Sequence, residues 1–166
     1  MMKETMCCFT GYSDLPAENR CDIRLQLEQE VKGLIDAGVH RFVCGGSPGF
    51  DTLAAFTVLK LQPIFPKVEL VLVAPCKERQ RRWKREDKER YAYLKSRAKR
   101  IIRTGCGGRL DCMCGKCRYL IKHSSVCVCY LPRESNGAAR AVSYAQKRGL
   151  CIRRIASGTV SGAEDH

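Results

Sequence analysis

The residues of this chain whose types and spacing could do chemistry lie mostly in three glycine-bearing turns and one cysteine cluster. The turns are Phe9-Thr10-Gly11-Tyr12-Ser13, Cys44-Gly45-Gly46-Ser47-Pro48-Gly49-Phe50-Asp51 and Glu134-Ser135-Asn136-Gly137-Ala138. Each sets glycine beside small polar residues. Where such a turn joins a strand to a helix, bare backbone N–H groups and the positive end of the helix dipole favour an anion. Gly45, Gly46 and Gly49 let the backbone approach a phosphate with no Cβ in the way; the other reading is a tight turn and nothing more. Asp51 is positioned to cap the following helix, and it is the one carboxylate placed for acid–base work there. Neither a Walker A sequence nor GxGxxG accompanies these turns.

Cys106, Cys112, Cys114 and Cys117 fall within twelve residues, close enough to meet around zinc or an iron–sulfur cluster. Their spacing is irregular, with one Cys-x-x-Cys pair, Cys114 to Cys117, and no second well-spaced pair. A redox-responsive dithiol and plain free thiols are the competing readings, and no cofactor is expected. His40 and His123 have no ligand partner in sequence and read as core or surface residues.

The turns need elements to hold them in place. Apolar runs of strand length recur at Thr5 to Phe9, Arg41 to Cys44, Val68 to Ala74, Val126 to Tyr130 and Cys151 to Ile155, with a weaker one around Ile101-Ile102. Continuous rather than alternating runs suit strands buried on both faces of a parallel sheet. Between them the period becomes helical. Ile23, Leu27, Val31, Leu34 and Ile35 form one stripe, and Ala138, Ala141, Val142 and Ala145 another. Trp83, Tyr91, Leu94 and Ala98 would line a third, with Arg81, Arg85, Lys88 and Lys95 outside it. Gly38 and Gly149 stand where helices end in glycine. Strand and helix alternate about five times, which predicts an α/β fold: a single Rossmann-like, doubly wound, mostly parallel sheet flanked by helices. One domain over residues 1–155 is expected, with a flexible tail from Ala156 to His166.

Composition narrows the partners. The formal charge is +13, and it is concentrated. Lys77 to Arg103 holds thirteen Lys or Arg against four acids, leaving seventeen against thirteen elsewhere. Such a block attracts nucleic acid, nucleotide phosphates or an anionic membrane surface, or is simply a solvated helix face. No apolar run approaches membrane-spanning length, and the charged Met1 to Met6 segment does not read as a secretory signal. A cytoplasmic protein is therefore expected, and most of the twelve cysteines should be free. Cys7, Cys8, Cys44, Cys127, Cys129 and Cys151 lie in or beside strand runs and read as core thiols.

Several motifs, taken in order, carry a family likeness. Phe9-Thr10-Gly11 comes first, then Gly45-Gly46-x-x-Gly49-Phe50-Asp51 with Ala54-Ala55, then Pro75 with Gln80 and Trp83, and last Ser143-Tyr144-Ala145 before a final strand. This order resembles the YpsA-like group of the SLOG superfamily from about Met6 to Ile155. The resemblance implies a Rossmann-like fold and relatives that include LOG phosphoribohydrolases, DprA-type single-strand DNA binders and proposed sensors of nucleotide-derived ligands. The chain departs from the group's pattern at pocket positions. Tyr12-Ser13 stands where the group usually has His-Arg, Phe56 where it has Glu, and Asn136-Gly137-Ala138 where it has Gly-Gly-Thr. The polar stretch usual before the fifth strand is replaced by residues running from Cys117 through Leu120, Ile121 and Lys122 to Ser124-Ser125. A retained scaffold with an altered site follows.

Turns and resemblance together point to Thr10, Gly11, Tyr12, Ser13, Gly45, Gly46, Gly49, Asp51, Gln80, Trp83, Asn136 and Gly137 as ligand-binding residues. Trp83 would stack on a base or pack its helix on the sheet. The expected function is binding or sensing of a nucleotide-derived small molecule. The alternatives are a nucleic-acid binder using the 77–103 segment, a LOG-like nucleotide phosphoribohydrolase acting through Asp51, or a partner-binding regulator with an empty pocket. Self-association through helices is open to this fold.

Overall fold

In the computed structural model, residues 6–12, 15, 17–74, 80–103, 119–131 and 137–155 are described. Six strands and four helices make up the main elements among them. β1 (Met6–Gly11) leads to α1 (Ala17–Asp36), β2 (Arg41–Cys44) to α2 (Phe50–Leu61), and β3 (Glu69–Ala74) to α3 (Arg85–Arg97). β4 (Arg100–Arg103), β5 (Val126–Tyr130), α4 (Gly137–Lys147) and β6 (Cys151–Arg154) follow.

Every strand pairs in parallel, in the order β4-β3-β2-β1-β5-β6. A parallel strand exposes neither face, so the inner strands are apolar on both sides: Cys7, Cys8 and Phe9, or Cys127, Val128 and Cys129, are all buried in succession. The two outer strands break that rule. Arg-Ile-Ile-Arg and Cys-Ile-Arg-Arg are mostly exposed, and their arginines blunt edges that would otherwise invite pairing with another chain.

The core divides by face. On one side α1, α2 and α3 bring Ile23, Leu27, Val31, Ala54, Val58, Tyr91 and Leu94 onto Cys7, Phe9, Phe42, Leu70 and Val128. On the other, Leu120, Ile121 and α4 residues Ala141, Val142 and Ala145 cover Cys8, Val43, Val71, Cys127 and Cys129. The helix side changes where the chain passes from the β2–β4 half to the β5–β6 half, so the topological switch point lies between β1 and β5. Ligands of open α/β sheets bind outside the carboxyl ends of the strands at such a point.

The sequence-predicted elements match closely, with four corrections. β1 runs two residues further than expected, carrying Thr10 and Gly11 out of the turn and into pairing with Cys129 and Tyr130. The predicted third stripe begins too early: Trp83 sits in a turn before α3, and Ala98 is its C-cap. Cys151 is exposed, because it lies on the edge strand β6. Asp51 does not cap α2. Gly49 does, at φ 92°, and Asp51 occupies the second position of the helix, where its carboxylate faces the positive end of the dipole. Gly38 and Gly149 end α1 and α4 with φ of 105° and 87°, as expected.

Candidate functional site

Around Gly11 and the start of α2, beside the predicted site, aromatic rings pack closely among the described residues. Phe50, the first residue of α2, is fully buried and lies over Gly11. A Cβ on Gly11 would stand 2.6 Å from the Phe50 ring. Phe50 stacks on Tyr130 at 5.9 Å and meets Phe9 edge-on at 6.4 Å, and Phe9 stacks on Phe42 at 6.2 Å. Tyr12 closes the group edge-on to Tyr130 at 6.4 Å. Its carbonyl accepts a hydrogen bond from the Phe50 N–H at 3.0 Å. Burial pushes the Tyr130 phenol up, and the nearby Asn19 side chain opposes that shift.

The second turn is organised in the same way. Gly45 and Gly46 are buried, and a Cβ on Gly46, at φ 76°, would stand 2.7 Å from the Tyr91 ring of α3. Trp83 in turn meets Tyr91 edge-on at 5.6 Å, and Lys95 lies 5.2 Å from the Tyr91 ring centre. Burial raises the Tyr91 pKa, with Arg103 acting against it. The start of α2 is closed by its own loop. The Ser47 carbonyl accepts from the Thr52 N–H at 3.1 Å and from its Oγ1 at 2.7 Å, and the Leu53 N–H donates to Gly49 at 3.0 Å. Asp51 is 9% exposed.

Open space lies further out. A cleft of about 680 Å³ is bounded by the first turns of α1 (Arg20 and Arg24), by the start of α2 (Gly49, Thr52, Leu53, Phe56), and by the start of α3 (Lys84, Glu86, Asp87, Arg90). Its volume is that of an ordinary small-molecule site. Arg90 is held by Asp87 at 3.1 Å. Arg20, Arg24 and Lys84 make no ion pair among the described residues. Arg24 approaches only the Cys21 sulfur, at 4.0 Å. The cleft therefore combines four cations, Arg20, Arg24, Lys84 and Arg90, and two carboxylates, Glu86 and Asp87, with the apolar side chains of Leu53 and Phe56. A shallower groove of about 400 Å³ runs along α3 between Gln80, Arg81, Lys88, Tyr91, Ala92 and Lys95.

Of the residues expected to bind a ligand, only Gly49 lines the cleft, and only Gln80 the groove. Thr10, Gly11, Tyr12, Gly45 and Gly46 are gathered at the carboxyl ends of β1 and β2, and Trp83 packs on Tyr91 nearby. Gly137 opens α4. Ser13 and Asn136 lie outside the described residues, as do Cys106, Cys112, Cys114 and Cys117. Sequence reasoning passed over Arg20 and Arg24. Their i,i+4 spacing near a helix start was the available signal.

A family model described as the YspA SLOG family, YpsA, matches residues 16–150. The chain belongs to the YpsA family of the SLOG superfamily. Relatives of this YpsA-family chain include UPF0398 protein BH1768 of Halalkalibacterium halodurans, 30% identical over 69 residues, covering 42% of this chain and 36% of that protein. A UPF0398 protein of Lysinibacillus sphaericus is 28% identical over 76 residues, covering 46% and 42%. These alignments span about two fifths of the curated relatives' length.

Solved structures share the fold. DNA processing protein A from Helicobacter pylori, described there in a single-stranded DNA binding mode, superposes with a TM-score of 0.60 at 14% identity, over 92% of this chain and 65% of that one. DprA from Streptococcus pneumoniae gives 0.62 at 13% identity, over 95% and 52%. Among the described residues, no helix is long and apolar enough to cross a membrane.

Proposed function

We propose that this YpsA-family protein binds an anionic, nucleotide-derived small molecule in the cleft between α1, α2 and the start of α3. One observation carries the reading: Arg20, Arg24 and Lys84, with no ion pair among the described residues, converge on a cleft of nucleotide size that also holds the apolar side chains of Leu53 and Phe56. An arginine pair one turn apart offers forked donors to phosphate, which a solvated lysine face does not. Gly49 brings bare backbone to the same cleft. The glycine turns at the sheet then act as scaffold: they let α2 and α3 lie close enough to the sheet to shape the cleft, rather than touching the ligand throughout.

Calorimetric titration with ADP at low salt tests this. Saturable binding that Arg20→Ala with Arg24→Ala weakens at least tenfold supports the site. Binding that survives this double substitution but is lost on altering Asp51 would return the ligand to the β2 turn.

A second reading rests on the groove along α3. Arg81, Lys88 and Lys95 line it beside Tyr91, and all three are exposed. A single-stranded nucleic acid could lay its phosphates there, as the basic segment and the DprA-like fold suggest. Its affinity would fall steeply with salt. An affinity indifferent to salt would exclude it.

A further inference from the structure

The two edges of the sheet are finished differently. On β6 the Arg153 guanidinium donates to both carboxylate oxygens of Glu30 on α1, at 3.0 and 3.5 Å, so that arginine is neutralised within the chain. On β4, Arg100 and Arg103 are exposed and make no ion pair among the described residues, and neither does Lys99 just before them. Ile101 and Ile102 stand between the two arginines. Ile101 is 38% exposed, a β-branched apolar side chain left in solvent.

The register sorts these side chains by face. Ile101 and Arg103 pair with Leu72 and Ala74 and share the α3 side of the sheet, where the Arg103 charge reaches Tyr91. Arg100 and Ile102 pair with Val71 and Val73 on the opposite side. Each side of the edge therefore offers one cation and one isoleucine. β4 pairs with β3 alone among the described residues, which leaves alternate backbone N–H and C=O groups turned outward.

Such an edge accepts an extended segment as one more strand: main-chain hydrogen bonds hold it, and the side chains opposite decide which segment is taken. Here charge decides. A second copy of this chain would set Lys99, Arg100 and Arg103 against the same three cations, and like charges facing across a strand pair are destabilising. A single-stranded nucleic acid meets the cations, but it brings no strand to the outward backbone groups and no aliphatic side chains to the isoleucines. A segment with acids opposite the arginines and aliphatic residues opposite the isoleucines satisfies all four positions.

We propose that the β4 edge is the docking site for an extended acidic segment of another protein, which adds as a further strand with side chains in the order acid, aliphatic, aliphatic, acid against Arg100 to Arg103. This surface is separate from the cleft and does not depend on what the cleft binds.

The test is an amide NMR titration of the full chain at low salt with millimolar capped peptide Ser-Glu-Val-Val-Glu-Ser. Its comparisons are the same peptide N-methylated at both valines, Ser-Lys-Val-Val-Lys-Ser, and oligothymidylate. The acidic peptide should shift the amides of residues 99–103 saturably, and N-methylation or the lysine exchange should each weaken it about tenfold or more. Arg100→Glu with Arg103→Glu, both exposed, should reverse the preference between the acidic and lysine peptides. Circular dichroism checks that this variant folds, and the peptide series on the wild type decides the matter if it does not. An N-methylated peptide that binds as well as its parent would mean attraction without strand addition, and the proposal falls. It falls equally if the acidic peptide leaves 99–103 unmoved; oligothymidylate moving them in its place would assign the edge to nucleic acid.

Discussion

Two regions meet at the dipeptide Gly49-Phe50, and they are built in opposite ways. Inward, Phe50 completes a ring cluster with Phe9, Phe42 and Tyr130, all fully buried, in the core between the sheet and α2. Outward, Gly49 opens onto a cleft whose Arg20, Arg24 and Lys84 make no ion pair among the described residues. Gly11 and Gly46 make room for the Phe50 and Tyr91 rings at the first region. A glycine-rich turn at a strand end is thus evidence of close approach, and what approaches has to be seen.

That contrast can be broken most sharply from the inside. Phe50→Ala removes a fully buried ring with three aromatic or glycine neighbours, and should cost about 3–5 kcal/mol of stability in urea unfolding. A cost below about 1 kcal/mol would mean the ring cluster is not packed as described. Gly46→Ala is next, at about 2–4 kcal/mol, since it combines a positive φ with a Cβ 2.7 Å from Tyr91. Adding Tyr91→Leu should recover part of that loss, and a purely additive double variant would show that the two residues do not meet.

Per group, the alkaline response is smaller. Burial pushes the thiols of Cys7, Cys44 and Cys129 up, and a hydrogen bond with Cys8 followed by burial does the same for Cys127. A thiol whose folded value is raised contributes fully below its unfolded value and is lost as pH rises through the folded one, because only the unfolded chain ionises in between. Stability should therefore fall from about pH 9 upward, by about 1.4 kcal/mol per pH unit for each such thiol. A flat profile from pH 8 to 10 would contradict the buried thiols. Smallest of all, Arg20→Ala with Arg24→Ala should leave stability within about 0.5 kcal/mol while weakening ADP at least tenfold.

The fold was largely legible because buried parallel strands announce themselves. Arg41 to Cys44 and Val126 to Tyr130 coincide with β2 and β5, and the stripe from Ile23 to Leu34 is the buried face of α1. Misreadings fell at element ends. Thr10 and Gly11 look like turn residues, yet pairing with β5 continues through them, and Asp51 looks like a cap, yet Gly49 takes that place. The site was less legible for a different reason. A cleft between three helices depends on which side chains converge from distant segments, and Arg20, Phe56 and Lys84 carry no shared local pattern. Phe56 was visible only as a departure from the family's usual Glu, and the structure places that departure in the cleft wall.

Hydrogen exchange of the full chain with and without saturating ADP separates the two regions most directly. Ligand in the outer cleft should protect amides in residues 17–24, 49–56 and 84–90, and leave 10–12 and 44–47 unchanged. Protection confined to 10–12 and 44–47 would place the ligand at the strand ends and contradict the outer cleft as its site.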